Sequence, residues 1–198
     1  MRLFVGTLLG SPTQLLYDRF IDDLIRAHPD SLRRIPERSA HLTYAFVADA
    51  GGDIVDVFRD ALTQATRGVR PFEIRLGPPR VITAGSRPRL VCADIVSGET
   101  ELLRLAAGLL TSLRLACPDL PMSPSRAPHV TLARFRKQAR RSDGLAVSRS
   151  LPTGPAAAPG PVEQIAHVQI VRSSLTPNGP VYEVLDQVPL LTPDSRQT

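Results

Sequence analysis

The sequence predicts an α+β fold of two pseudo-symmetric lobes, each an antiparallel sheet with outer helices, around one shared cleft. Two observations carry this. The triplet His41-Leu42-Thr43 returns as His129-Val130-Thr131, each in a β-prone fragment, and the copies stand close to half the chain apart. The order strand, helix, strand, helix also runs twice, with each triplet arriving after a helix and a loop. Side chains alternate faces along a strand, so His and Thr at i and i+2 point the same way, roughly 7 Å apart. Two such strands facing each other would place a general base, a general acid and two hydroxyl donors around one anion.

The elements follow in order. Residues 2–9 read as an opening strand. Ser11-Pro12-Thr13-Gln14 reads as a capping box, with Ser at N-cap, Pro at N1 and Gln at N3. The helix it starts should bury Leu16, Phe20 and Leu24 and stop before His28-Pro29. Arg33-Arg34-Ile35-Pro36 reads as a loop feeding the first motif strand. Ile54, Val57, Phe58, Ala61, Leu62 and Ala65 trace an apolar helical stripe. Pro71–Leu76 is a strand that Gly77-Pro78-Pro79 should break, followed by a short 80–82 segment, a turn at 85–88 and a strand from Arg89 to Val96. A helix is expected from Glu99 to Ala116, with Leu102, Leu105, Ala106, Leu109 and Leu113 inward. Pro118 to Pro128 reads as a loop, and Lys137 to Arg149 as a short helix or loop. Residues 151–161 are Pro/Ala/Gly-rich and extended, but too short for a domain linker. Strands Gln164–Val171 and Val181–Val188 close the chain around a turn at 176–179. One domain over 1–191 is expected, with a frayed tail at 192–198.

Composition narrows the function. The hydrophobic share of 42% and charged share of 22% are ordinary for a soluble globular protein. No run is apolar enough to cross a bilayer and the first residues lack a signal-peptide layout, so a cytoplasmic protein is expected, as a monomer. Cys92 and Cys117 form no disulfide framework and no zinc spacing. Net charge is +5, and every basic residue except Lys137 is arginine, whose planar fork suits phosphate and stacks on bases. A GC-rich genome that substitutes Arg for Lys produces the same bias. No P-loop or GxGxxG is present, against triphosphate or dinucleotide chemistry.

The paired His-x-Thr motifs resemble those of the two-histidine (2H) phosphoesterase superfamily. Within it the chain is similar to RNA 2′,3′-cyclic phosphodiesterases, also called 2′-5′ RNA ligases. The likeness spans nearly the whole length: Arg2-Leu3-Phe4-Val5, His41-Leu42-Thr43, Arg87-Pro88-Arg89, Pro128 to Arg134, and Leu175 to Tyr182. The chain departs from the family pattern at Ser39-Ala40, where Asn is frequent before the first His, and at Val47-Ala48-Asp49, where Leu-Gly is frequent.

The resemblance implies metal-independent hydrolysis of an RNA-terminal 2′,3′-cyclic phosphate to a 2′-phosphate, with no cofactor and with reverse 2′-5′ ligation as a secondary activity. His129 is assigned as base and His41 as acid, although the sequence is symmetric on this point. Thr43 and Thr131 would donate hydrogen bonds to the phosphate, and the resemblance places Arg134 there too. Three residues beyond Thr131, Arg134 falls on the opposite face under strict alternation, so it needs a bulge to reach the cleft; otherwise it is a solvated edge residue. Phe46 is a base-stacking candidate by chemistry and a core residue by alternation. Tyr182 reads as packing, His28 as a surface residue, His167 as structural, and Arg136, Arg140 and Arg141 as a solvated basic face. A cyclic phosphodiesterase acting on a small nucleotide such as ADP-ribose cyclic phosphate, or a non-catalytic nucleotide- or RNA-binding module, are the competing readings.

Overall fold

The opening strand β1 (Leu3–Leu8) and the first motif strand β3 (His41–Val47) pair antiparallel, burying Leu3, Phe4, Val5, Leu42, Tyr44, Ala45 and Val47. The computed structural model describes residues 1–47, 50–51, 54–124, 127–152, 160–176 and 179–190. Between β1 and β3 lies helix α1 (Ser11–Ala27) and a short strand β2 (Leu32–Arg34); α2 (Ile54–Thr66) and β4 (Phe72–Ala84) follow. The second half repeats this order as β5 (Arg87–Ser97), α3 (Glu99–Ala116), β6 (Met122–Pro124), the second motif strand β7 (His129–Phe135) and α4 (Arg141–Ser150). Strands β8 (Val162–Ile165), β9 (His167–Thr176) and β10 (Gly179–Pro189) complete the fold.

Two five-stranded antiparallel sheets result, ordered β10-β9-β1-β3-β6 and β2-β7-β5-β4-β8. The α+β class and the paired lobes therefore hold, but the halves are exchanged and not simply adjacent. Strand β2 precedes β3 in sequence yet pairs with β7, while β6 precedes β7 and pairs with β3. The helices cross in the same way. Helix α1 leaves β1 and packs on β2 and β7; α3 leaves β5 and packs on β3 and α2. Both short strands fall where the sequence reads as loop, because three residues are too few for alternation to register.

Each motif strand carries a one-residue bulge at the same place. In β3 the register steps from Val5↔Ala45 to Gly6↔Thr43, leaving Tyr44 as the extra residue. In β7 it steps from Val91↔Ala133 to Cys92↔Thr131, leaving Leu132 extra. Tyr44 and Ala45 are both buried, as are Leu132 and Ala133, so alternation breaks and resumes in the opposite phase. Positions five residues after each histidine, Phe46 and Arg134, thereby join the histidine's face.

Several local expectations are corrected. The α1 cap is Gly10 with no side-chain bond, so Ser11 and Gln14 make no capping box. The inward face of α1 is Thr13, Tyr17, Ile21 and Leu24, while Leu16 is exposed. In α2, Val57 is exposed while Phe58, Ala61 and Leu62 are buried. Gly77-Pro78-Pro79 does not end β4; a register shift between Leu76 and Pro79 absorbs it. The expected strand 164–171 is two strands that split at Ala166 and enter different sheets. The 192–198 tail, most of the 151–161 stretch, Pro177-Asn178 of the closing turn and Ala48-Asp49 lie outside the described residues. No helix among the described residues is long and apolar enough to cross a membrane.

Gly6 sits at the first bulge, where a Cβ would collide with the Leu42 carbonyl oxygen of the neighbouring strand. Gly6→Ala must push β1 and β3 apart beside His41, and is expected to destabilise the fold by about 1–3 kcal/mol. Urea denaturation checks this as a lowered midpoint; an unchanged midpoint would mean that the strands tolerate separation.

Candidate active site

His41 opens β3 and His129 opens β7, so each imidazole stands at the mouth of its strand, where the sheets face each other. Both rings are anchored alike. Nδ1 of His41 lies 2.6 Å from the carbonyl oxygen of Ser39, and Nδ1 of His129 lies 3.0 Å from that of Ala127. A carbonyl only accepts, so each Nδ1 carries the proton and donates it two residues back. Each Nε2 is left as the working nitrogen.

The start of β3 is also staked from α1. The Gln14 side chain, 5% exposed, donates to the Ala40 carbonyl at 2.7 Å and accepts from the Ala40 amide at 3.0 Å. It also donates to the Leu9 carbonyl at 3.2 Å. Gln14 thus holds both backbone groups of the residue before His41. No sequence pattern marks that role, since it depends on a contact between helix and strand.

Both imidazoles, Thr43, Thr131 and Arg134 line one cleft, together with Arg33 and Tyr182, enclosing about 160 Å³ of solvent-accessible space. The sequence-predicted pair therefore does meet in one hollow, and the bulge delivers Arg134 to it. Phe46 lines an adjoining opening with His41, Thr43, Phe4 and Tyr182. Its core reading is corrected: the Tyr44 bulge turns it from the buried face to the cleft face, and the Arg2 guanidinium carbon stands 5.1 Å from its ring centroid.

The two histidines have different surroundings. His41 stacks on Phe4, with centroids 4.6 Å apart and planes at 26°, and meets Tyr182 edge-on at 5.0 Å and 76°. Phe4 and Tyr182 also touch, at 5.3 Å and 81°. This aromatic cluster draws on β1, β3 and β10, and only the folded sheet brings them together. Tyr182 is thus a cleft residue as well as a packing one. Burial, first, and the positive charges of Arg134 and His129 push the His41 imidazole below its ordinary value of 6.5, opposed by the Ser39 hydrogen bond. Arg134 keeps an exposed face, and partial desolvation together with its neighbours Arg33 and Arg89 lowers it from its ordinary value, against the favourable influence of Tyr182. His28 caps α1 and pairs through Nε2 with Ser150 Oγ at 2.9 Å; the His167 carbonyl accepts from Thr7 at 2.9 Å. Both lie away from the cleft lining. Among the described residues no three His, Cys, Asp or Glu side chains gather as metal ligands.

Chemically, the cleft offers two proton-transfer groups, two hydroxyl donors and a guanidinium converging on a space of phosphate size. Comparison with known proteins agrees. The 2′-5′ RNA ligase superfamily matches residues 16–169. An RNA 2′,3′-cyclic phosphodiesterase of Methanothermobacter thermautotrophicus is 25% identical over 168 residues, covering 82% of this chain and 84% of that protein. The crystal structure of TT0787 of Thermus thermophilus superposes with TM-score 0.73 at 24% identity, covering 96% of this chain and 98% of that one. Escherichia coli LigT complexed with 3′-AMP gives TM-score 0.68 at 19% identity, covering 96% and 97%.

The electrostatics make a measurable claim. With burial, and after it cationic neighbours, opposing its protonation, His41 should titrate below its ordinary value of 6.5 in the free protein. Arg134→Gln removes one of those charges, so the His41 pKa should rise toward the ordinary value, and bound inorganic phosphate should raise it in the wild type. Imidazole NMR titration reads both shifts; a fall in either case would refute the assigned causes.

Proposed function

Because the chain belongs to the 2′-5′ RNA ligase superfamily of 2H phosphoesterases, we propose that it opens 2′,3′-cyclic phosphates at RNA ends to 2′-phosphates, using protein side chains alone. The observation that carries the reading is that His41-Thr43 and His129-Thr131 line one cleft, each imidazole anchored through Nδ1. A named RNA 2′,3′-cyclic phosphodiesterase among the relatives and a LigT complex with 3′-AMP among the fold neighbours support it.

In the proposed step the aromatic side of the cleft, Phe46 with Phe4 and Tyr182, receives the terminal nucleoside. That side adjoins His41, so the ribose leaving oxygen meets His41 Nε2, while water approaches from His129. His129 Nε2 takes the water proton as the water oxygen bonds to phosphorus. The P–O3′ bond breaks, and His41 protonates O3′. The product is a 2′-phosphate monoester beside a free 3′-hydroxyl. Thr43, Thr131 and Arg134 stabilise the charge that grows on the non-bridging oxygens. For His41 to act as the acid it must be protonated against its burial and its cationic neighbours, and the phosphodiester anion favours that charged form. If a 5′-hydroxyl takes the place of water, the same proton transfers form a 2′-5′ bond, as a secondary reaction.

The test is to incubate the protein with cyclic-phosphate-ended RNA in EDTA and to identify the product isomer by 31P NMR. A 2′-phosphate, formed undiminished in chelator, is the expected result; a 3′-phosphate, or loss of turnover restored by a divalent cation, overturns the scheme. His41→Ala and His129→Ala should each cost roughly 10²–10⁴-fold in kcat with circular dichroism unchanged. The rate should fall at both low and high pH, because one imidazole must be neutral and the other charged.

A further inference from the structure

Beyond the reaction cleft, a second groove runs from Arg33 and Arg134 along Arg87, Arg89, Arg136 and Lys137. Among the described residues no acidic side chain lines it. Among them, too, none of these six cations makes an ion pair; Arg136 alone is held, by the carbonyls of Pro29 and Leu32 at 3.1 and 3.0 Å. The contrast within β2 is sharp. Arg34, one residue on, is surrounded by Asp18, Asp22 and Glu37 at 3.4, 3.2 and 3.5 Å, while Arg33 turns to the other face and has no carboxylate. Strand pairing places Arg33 directly opposite Arg134, packing like charges together. Such a cluster repels itself in the free protein and is relieved by a polyanion.

The groove is continuous with the reaction cleft, since Arg33, Leu90 and Arg134 line both. The aromatic opening that also borders Arg33 and Arg134 is a separate branch, carrying Phe46 and Phe4. Three channels thus meet at Arg33 and Arg134: the cleft with both histidines, the aromatic opening, and the groove that adds Arg87, Arg89, Arg136 and Lys137. Under the proposed reaction a mononucleotide would occupy the first two, and a substrate that continues past its terminal nucleotide would reach the third.

We infer that this groove, through Arg87, Arg89, Arg136 and Lys137, binds the backbone phosphates immediately 5′ of the reacting nucleotide and so sets a preference for an oligonucleotide over a free cyclic nucleotide. The inference rests on the proposed cyclic-phosphate reaction for its polarity, whereas polyanion binding in the groove does not depend on turnover.

The experiment compares a tetranucleotide ending in 2′,3′-cyclic phosphate with a 2′,3′-cyclic nucleoside monophosphate, in the wild type and in Arg87→Ala/Lys137→Ala. Both replaced side chains are exposed, and removing like charges should leave thermal stability equal or higher. The wild type should prefer the tetranucleotide in kcat/KM by about tenfold or more, and the double variant should lose that preference. Anisotropy of a labelled RNA ending in 2′-phosphate should show weaker binding in the variant, with the salt slope shallower by about 0.7 per lost phosphate contact. Equal processing of the two substrates by the wild type, or parallel loss of both in the variant, overturns the inference. If neither substrate is turned over, the reaction scheme fails and the anisotropy alone decides: a shallower salt slope in the variant supports the groove, and an unchanged slope rejects it.

Discussion

Everything at the cleft depends on one constraint, the antiparallel pairing of each motif strand with the strand that opens its half, interrupted by a single extra residue. Before the bulge, ordinary alternation puts His and Thr on the cleft face and Leu42 or Val130 in the core. After it, the phase is inverted and a residue that counts as buried becomes a cleft residue. The bulge therefore widens a two-residue motif into a three-residue one, at His, His+2 and His+5. It does so twice, at Tyr44 and Leu132, with burial that matches at every position of the two strands except the last of the three, where Phe46 is half-buried and Arg134 exposed.

The third position is where the lobes diverge. Phe46 stands in the first lobe where Arg134 stands in the second, and their partners on the neighbouring strands are Phe4 and Leu90. One side of the cleft is aromatic and packs around His41; another branch, beyond Arg33 and Arg134, is cationic. A pseudo-twofold scaffold supplies two equivalently anchored imidazoles, and these substitutions make their surroundings unequal. An asymmetric reaction, with a nucleophile on one side and a leaving group on the other, needs that inequality.

The motifs were legible in the sequence because their information is local: residue types at i and i+2 in an apolar fragment. The long helices were legible for the same reason, and Glu99–Ala116 matches its expected span and buried leucines. What could not be read was relational. Phe46 points into the cleft because of a register step set by Gly6 on another strand. Gln14 looks like a capping residue, yet its amide is spent on Ala40, and Tyr182 reaches His41 from the far end of the chain. The exchanged strands β2 and β6 are too short to show alternation, and β4 passes through Gly77-Pro78-Pro79 because a bulge accommodates what a regular ladder would not.

The exchange of β2 and β6 has a mechanical consequence. Each short strand is built into one sheet while the chain runs straight on from it into the motif strand of the other, so the connections from β2 to β3 and from β6 to β7 tie the two sheets together beside the histidines. The jaws are laced together, and their gap is set by the chain's own path. Under the proposed reaction, a gap set in this way would choose among substrates by their fit to a fixed slot, with no need for the slot to close around them.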